Sequence, residues 1–550
     1  MGAQILKCIL KRILKFEKCL NFSLVFRFRF VCTVNENDVS ELNKAIGDER
    51  RIAAITNACA EFDHWEVEQH DAELALGSAN VLSLVLSMTD KDDEIRMICA
   101  ALEMVYRASC ERVKVSFLEV GNAVVPLLLR LLERCENGSL KHADVSIHNI
   151  TKVLLYFSRV PELRVPLARH QGLLSALTRV ATSILNPDCR ILRMRVMANL
   201  ANCDDNKVTM LEHSGLVESI LKIATLDLSE AAREYAAASL MDLASCQLNQ
   251  IPMARSDKLL GVCVKLAIVD CNDQTREYAL TALQNLAFSK DNRTRLTTFG
   301  SGVVLEALKK ALAKDSNDKS RRRAAGALTN LACDETSEAM GSHKGLMETL
   351  AQLSVYDISE DVQRRSCLAI TKIAASCTVS MSCFSKVLKA LVDASRGQNS
   401  SGIAAVFRVR ARDVECREVM ARHPGLLERL ADIATNPNTA ATKDRDNATR
   451  ALLHLTNENK NRKLMCNSII LQALVEASTS EHVEMRDSAI LALERLATEV
   501  SNRPTMSRQD GLIVAISRAV EREYQSELAG EKNTQPRLAK PLLMSLLLSM

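Results

Sequence analysis

LQNLAFSKDNRTRLTTFGSG, residues 283–302, recurs three more times in altered form along the chain. Its relatives are MANLANCDDNKVTMLEHSGL (197–216), LTNLACDETSEAMGSHKGL (328–346) and LLHLTNENKNRKLMCNSII (452–470). Taking the residue before each "LA" pair as an anchor gives Val105, Tyr156, Asn199, Asp242, Asn285, Asn330, Lys372, Val409, His454 and Arg495. Successive gaps are 51, 43, 43, 43, 45, 42, 37, 45 and 41 residues. Self-similarity at a period in the low forties marks stacked supersecondary units, each unable to bury its apolar face alone.

Other positions keep phase. Eleven residues after the anchor comes an apolar side chain: Leu167, Met210, Met253, Leu296, Met420, Met465 and Met506. Sixteen after it comes glycine at 172, 215, 425 and 511, with Gly345 one residue early. Nine before it stands an arginine: Arg190, Arg233, Arg276, Arg321, Arg445 and Arg486. In the unit around 316–355, Asn317, Asp318 and Ser320 supply capping oxygens, and Ala324, Ala325, Ala327, Leu328, Leu331 and Ala332 form an apolar helical face. A short helix then ends near Gly345, where a sharp turn needs positive φ. A second apolar-faced helix follows, with Leu346, Met347, Leu350 and Leu353.

A short helix, a glycine bend, a second helix and a long third helix carrying "ALxNLA" resemble the armadillo repeat, over about residues 95–520. The resemblance implies an all-α, right-handed α-solenoid of about ten repeats, with HEAT-like repeats as the alternative. It implies third helices lining a concave groove that binds extended peptides. In nuclear-import adaptors of this family, anchor asparagines grip the backbone of the bound peptide, which makes Asn199, Asn285 and Asn330 candidates here, with Lys372 at the same position. Those adaptors also carry tryptophan four residues earlier; this chain has Arg195, Thr281 and Gly326 there.

The expected organisation is a basic amphipathic segment (1–33), a helical capping region (34–94), the array (95–520) and a tail or cap (521–550). SRGQNSSG (395–402) breaks helices, so an irregular unit is expected near 395–425. The chain is 550 residues long, 47 % hydrophobic and only 3 % aromatic, with few glycines and prolines, which suits long helices. Its 18 cysteines form no CxxC pair, so they read as thiols of a reducing compartment, cytoplasmic or nuclear, rather than as zinc ligands.

Within residues 1–33, seven basic side chains face a single acid, Glu17, and the body of the chain is close to neutral. No general basic surface for nucleic acid is therefore expected. Ile5, Leu6, Ile9, Leu10, Ile13 and Leu14 share one helical face, while Lys7, Lys11, Lys15 and Lys18 share another. That pattern suits a membrane surface or a targeting role, and equally a capping helix. Phosphate-binding glycine loops, GxSxG, HExxH and kinase signatures are missing from the sequence. The expected function is a non-enzymatic, cofactor-free scaffold or adaptor for other proteins. A transport adaptor and a membrane-recruited protein are the alternatives.

Two further position sets complete the reading. Arg321, Arg322, Arg323, Arg364 and Arg365 are denser than the repeat requires, and with Arg408, Arg410 and Arg412 they favour an acidic partner segment. The repeated arginine itself is expected to make ion pairs between repeats. His170, His213, His343 and His423 occupy one repeat position just before the bend, so they are expected to close short helices and to be too far apart for one metal. The polar cluster FDHWEVEQHD (62–71) reads as a solvated helix face.

Overall fold

The computed structural model describes residues 143–179, 187–376, 381–398, 400, 402–436, 442–528 and 539–547, with isolated positions between 125 and 133. The readings made on residues 1–33, 34–94 and Val105 lie outside the described residues. The chain divides into two compact units, 1–286 and 287–550.

In the first unit, α1 (Ala143–Arg159) is a third helix and precedes three repeats. These are α2 (Pro161–Arg169), α3 (Leu173–Thr178) and α4 (Pro187–Ala201); α5 (Asp204–Glu212), α6 (Leu216–Leu226) and α7 (Glu230–Ser245); and α8 (Gln247–Arg255), α9 (Asp257–Val269) and α10 (Asp273–Leu286). The third helices pack side by side, α1 on α4, α4 on α7 and α7 on α10, and the second helices likewise, α3 on α6 and α6 on α9.

The second unit opens with α11 (Lys290–Thr298), α12 (Val303–Lys314) and α13 (Asp318–Leu331), then α14 (Ser337–Ser342), α15 (Leu346–Tyr356) and α16 (Glu360–Ser376). A two-helix repeat follows, α17 (Met381–Ala394) and α18 (Ile403–Arg412), with no separate short first helix among the described residues. Next come α19 (Val414–Arg422), α20 (Leu426–Thr435) and α21 (Thr442–Leu455), and then α22 (Asn459–Met465), α23 (Ser468–Ser478) and α24 (Val483–Thr498). The last described helices are α25 (Arg503–Ser507), α26 (Leu512–Leu528) and α27 (Ala539–Leu547). Here too third helices stack, α13 on α16, α18 on α21 and α21 on α24, and α27 packs on α24 and α26.

Small side chains make this stacking possible. Ala324, Ala325, Ala327, Leu328 and Leu331 of α13 are all buried, and alanines at the contact let helix axes approach closely while leucines fill the remaining space. The apolar residue eleven past the anchor is the plug of each short helix: Met210, Leu296, Met420, Met465 and Met506 are each fully buried. The bend glycines adopt the left-handed conformation that a Cβ disfavours. Gly215 (φ 79°) and Gly345 (φ 75°) directly precede α6 and α15, so the chain reverses within three residues of the short helix. The helix-breaking run at 395–402 lies between α17 and α18, and Gly397 there packs so closely on α15 that a Cβ would stand 3.0 Å from the Ser354 carbonyl.

Candidate functional site

Three polar ladders hold the repeats in register, and what they leave exposed defines the face available to a partner. The first is the arginine nine residues before the anchor. Arg233 on α7 places Nε 2.6 Å from Oδ2 of Asp270, the residue that ends α9 in the following repeat. Its Nη1 donates to the carbonyls of Asp227 and Leu228 in its own loop. Arg190 pairs with Asp227 at 2.7 Å and Arg321 with Asp357 at 3.1 Å in the same way. Arg276 and Arg486 cap the equivalent loop carbonyls. One guanidinium thus closes the loop between second and third helices and ties it to the next repeat.

The second ladder is an asparagine seven residues past the anchor, which the sequence reading missed. Asn206 Nδ2 donates to the Leu200 carbonyl at the end of α4 (3.1 Å) and to the Arg164 carbonyl on α2 (2.9 Å). Asn249, Asn461 and Asn502 repeat this, each reaching the end of the third helix and the first helix of the preceding repeat. The amide adds a donor to a carbonyl near the end of a third helix and to one on a first helix, at a site closed to water. The third ladder is the next residue along. Nε of Arg164, Arg417, Arg462 and Arg503 donates to the carbonyl six residues back, at 2.9–3.1 Å. The signal was present in DNK, DNR, KNR and SNR, but inside a short polar helix such residues read as solvated until the neighbouring repeat buries them.

The described anchors lie on the stacked third helices, half-buried apart from the exposed Lys372 and Val409, while Ala198, Leu200, Leu283 and Leu286 beside them are buried. Asn199 Nδ2 donates to Ser158 Oγ on α1 at 2.9 Å, and Asn285 Nδ2 to the Met241 carbonyl on α7 at 3.3 Å. Asn330 is half-buried on α13, and Lys372 on α16 reaches the Thr329 carbonyl at 3.1 Å. Burial and the nearby Arg293 hold the Lys372 ammonium below its usual range. At the fourth anchor, burial pushes the Asp242 carboxyl up to about 6, offset in part by Lys207 and Arg164.

Of the dense arginines, Arg321 is committed to Asp357, Arg322 pairs with Asp318 at 2.7 Å, and Arg364 and Arg365 share Asp361. Arg323 is exposed on α13. Arg410 is buried, pairs with Asp413 at 3.2 Å and reaches the Ala375 carbonyl on α16. The four histidines end α2, α5, α14 and α19, one per repeat. His213 meets Ser175 and His343 meets Glu306, both at 3.3 Å across a repeat junction.

No protein-family model matches the chain, and no curated protein matches it. Among solved structures it is similar to an engineered protein, at 20 % identity over 86 % of this chain and 99 % of that one, with a TM-score of 0.53. It is also similar to a chain from a study of a phosphorylation switch controlling the interaction between cadherin and beta-catenin (14 % identity, 87 % and 98 % covered, TM-score 0.48). A third is a designed armadillo repeat protein in complex with the peptide (KR)4 (19 % identity, 45 % and 99 % covered, TM-score 0.38). The repeating unit itself, a short helix closed by histidine, a left-handed glycine, a second helix and a long third helix, answers the question of fold. This is the armadillo-type repeat fold. In armadillo-type terms, the ladders occupy the junctions between repeats, and the anchors occupy the third-helix face.

Proposed function

We propose that the protein is a non-enzymatic scaffold or adaptor that binds extended segments of other proteins along its third helices. The observation that carries this reading is the row of half-buried polar anchors on a helix face otherwise closed by alanine and leucine. Asn199 and Asn285 spend their N–H groups on the neighbouring third helix. Their Oδ1 atoms accept no hydrogen bond among the described residues, and a row of such acceptors suits the N–H groups of an extended backbone. The test is affinity capture from native lysate with quantitative mass spectrometry, comparing wild type with the Asn199→Ala, Asn285→Ala, Asn330→Ala variant at matched helicity. Partners lost in the variant support the face; partners retained equally place binding elsewhere.

A transport-adaptor role draws less support. The positions that would hold tryptophan carry Arg195, which stacks over Tyr235 at 5.7 Å, and Thr281, which bonds back to the Glu277 carbonyl. A reducing compartment, cytoplasmic or nuclear, suits the thiols, since burial pushes Cys263 up to about 12 and Cys367 up to about 11 and so suppresses the reactive thiolate. Membrane recruitment through residues 1–33 is a separate proposal, checked by liposome co-sedimentation with and without that segment.

A further inference from the structure

Charge is not spread evenly over the third-helix face. In the first unit the face carries Glu234, Glu277 and Asp242 around Tyr235 and Tyr278, and these acids together with burial raise the Tyr278 phenol. In the second unit the sign reverses. Arg408 and Arg412 on α18, Arg417 on α19 and Arg495 on α24 surround His454, the anchor of α21, and Arg462 on α22 acts on Arg495. Arg412 Nε donates to His454 Nε2 at 3.4 Å, so the imidazole serves as an acceptor among guanidiniums. Arg417 and Arg462 are fixed by the carbonyls of Ala411 and Thr456, which hold their planes without neutralising them.

Clustering without counter-ions sets this group apart. Arg190, Arg233, Arg321, Arg322, Arg364, Arg365 and Arg450 each have a carboxylate within ion-pair distance. Among the described residues, none of Arg408, Arg412, Arg417, Arg462 and Arg495 does. Arg495 feels Glu494, its neighbour in sequence, while Arg462 and Arg417 act on it as like charges. Clustered guanidiniums without anions repel one another, and an incoming anion relieves that cost with charge-assisted, fork-shaped bonds.

We infer that the third-helix face of α18, α21 and α24 is a docking site for an acidic, extended peptide segment with a carboxylate at every third residue. This rests on the reading of the third helices as a partner-binding face and adds the chemistry of the partner. The spacing follows from two lengths. Packed helices stand about 8–10 Å apart, and three residues of polyproline-II chain rise about 9.3 Å and return a side chain to the same face. Carboxylates at i, i+3 and i+6 therefore meet successive repeats. The face offers guanidiniums but little aromatic surface, since Phe407 of α18 is buried, and single-stranded nucleic acid requires stacking platforms.

The test uses the full chain and a fluorescein-labelled nine-residue peptide with glutamate at positions 1, 4 and 7, read by fluorescence anisotropy. We expect binding to wild type, and a loss of about ten-fold in Arg412→Gln/Arg495→Gln. Arg508→Gln, an exposed arginine just past α25 and outside the cluster, is expected to match wild type. Should the double glutamine variant lose helicity, Arg412→Lys/Arg495→Lys keeps the charge without the fork and is expected to fall between the two. Equal binding of the glutamine-substituted peptide overturns the proposal, as does an unchanged affinity in the double variant. Equal binding of a peptide with three adjacent glutamates overturns the spacing. Equal competition by a single-stranded oligonucleotide of the same charge shows a general polyanion surface and overturns the peptide assignment. If any of these occurs while captured partners are still lost in the triple asparagine variant, the third-helix reading stands and only the acidic chemistry falls.

Discussion

Arg233 and Asp270, thirty-seven residues apart, meet at 2.6 Å across the junction of two repeats, with side chains 15 % and 4 % exposed. The pair does two tasks at once, because Asp270 Oδ1 also accepts the Asn272 N–H and shapes the loop before α10. Removing the arginine leaves a desolvated carboxylate, and removing both leaves only lost loop bonds. Arg233→Ala is therefore expected to cost about 2–3 kcal/mol in urea denaturation, and the double variant Arg233→Ala/Asp270→Asn less than the sum of the single changes. Additive losses in the double-mutant cycle would show that the two side chains act independently.

The buried asparagines give a sharper substitution test. Asn249 is 1 % exposed, and its Nδ2 serves two carbonyls, those of Lys207 (2.9 Å) and Leu243 (3.1 Å). Asn249→Ala removes a buried donor that both carbonyls share and is expected to cost about 2 kcal/mol. Asn249→Asp keeps the shape but replaces a donor with an anion facing two carbonyl dipoles, so it is expected to cost more than alanine. Thermal denaturation ranks the two variants, and an aspartate milder than alanine would contradict the assigned bonding.

The contrast between these two ladders shows what a single sequence reveals. The period, the bend glycines, the buried methionines and the repeated arginine all recur at fixed offsets with distinctive residue types. Asn206, Asn249, Asn461 and Asn502 recur just as regularly, yet all but Asn249 are flanked on both sides by charged or polar residues typical of exposed surface. Only the first helix of the preceding repeat supplies the second carbonyl and excludes water. The same holds for the arginine cluster around His454. Arg408 and Arg412 stand out as a basic run, whereas Arg417, Arg462 and Arg495 come from three other helices and converge only when the repeats stack.

Asp242 occupies an anchor position held by asparagine in three other repeats, and burial raises its carboxyl from 3.8 to about 6. Between those values the folded chain holds a proton that the unfolded chain has released, so this residue's contribution to stability falls as pH rises from 4 to 6 and stays low above that. Asp242→Asn removes the unfavourable charge. It is expected to stabilise the protein at pH 7.5 by roughly 2 kcal/mol, an advantage that shrinks as pH falls towards 4.5. Melting temperatures of both proteins across that range decide it; a constant difference would mean that Asp242 does not titrate in this window.

His454 titrates with the opposite sense. Burial, followed by Arg412, Arg417, Arg495 and Arg408, pushes its imidazole from 6.5 down to about 4. Between those values the unfolded chain carries a proton on this residue and the folded chain does not. Stability from this residue is therefore complete above pH 6.5 and is lost as pH falls towards 4. His454→Gln keeps an acceptor for Arg412 but cannot be protonated, so it is expected to be less acid-sensitive than wild type between pH 6 and 4.5. The His454 ring proton resonances, assigned by their absence in this variant, are expected to keep the neutral shift at pH 5.5. A midpoint near 6.5 would mean that the guanidiniums do not converge on the ring in solution, and the docking site inferred from them would lose its geometric basis.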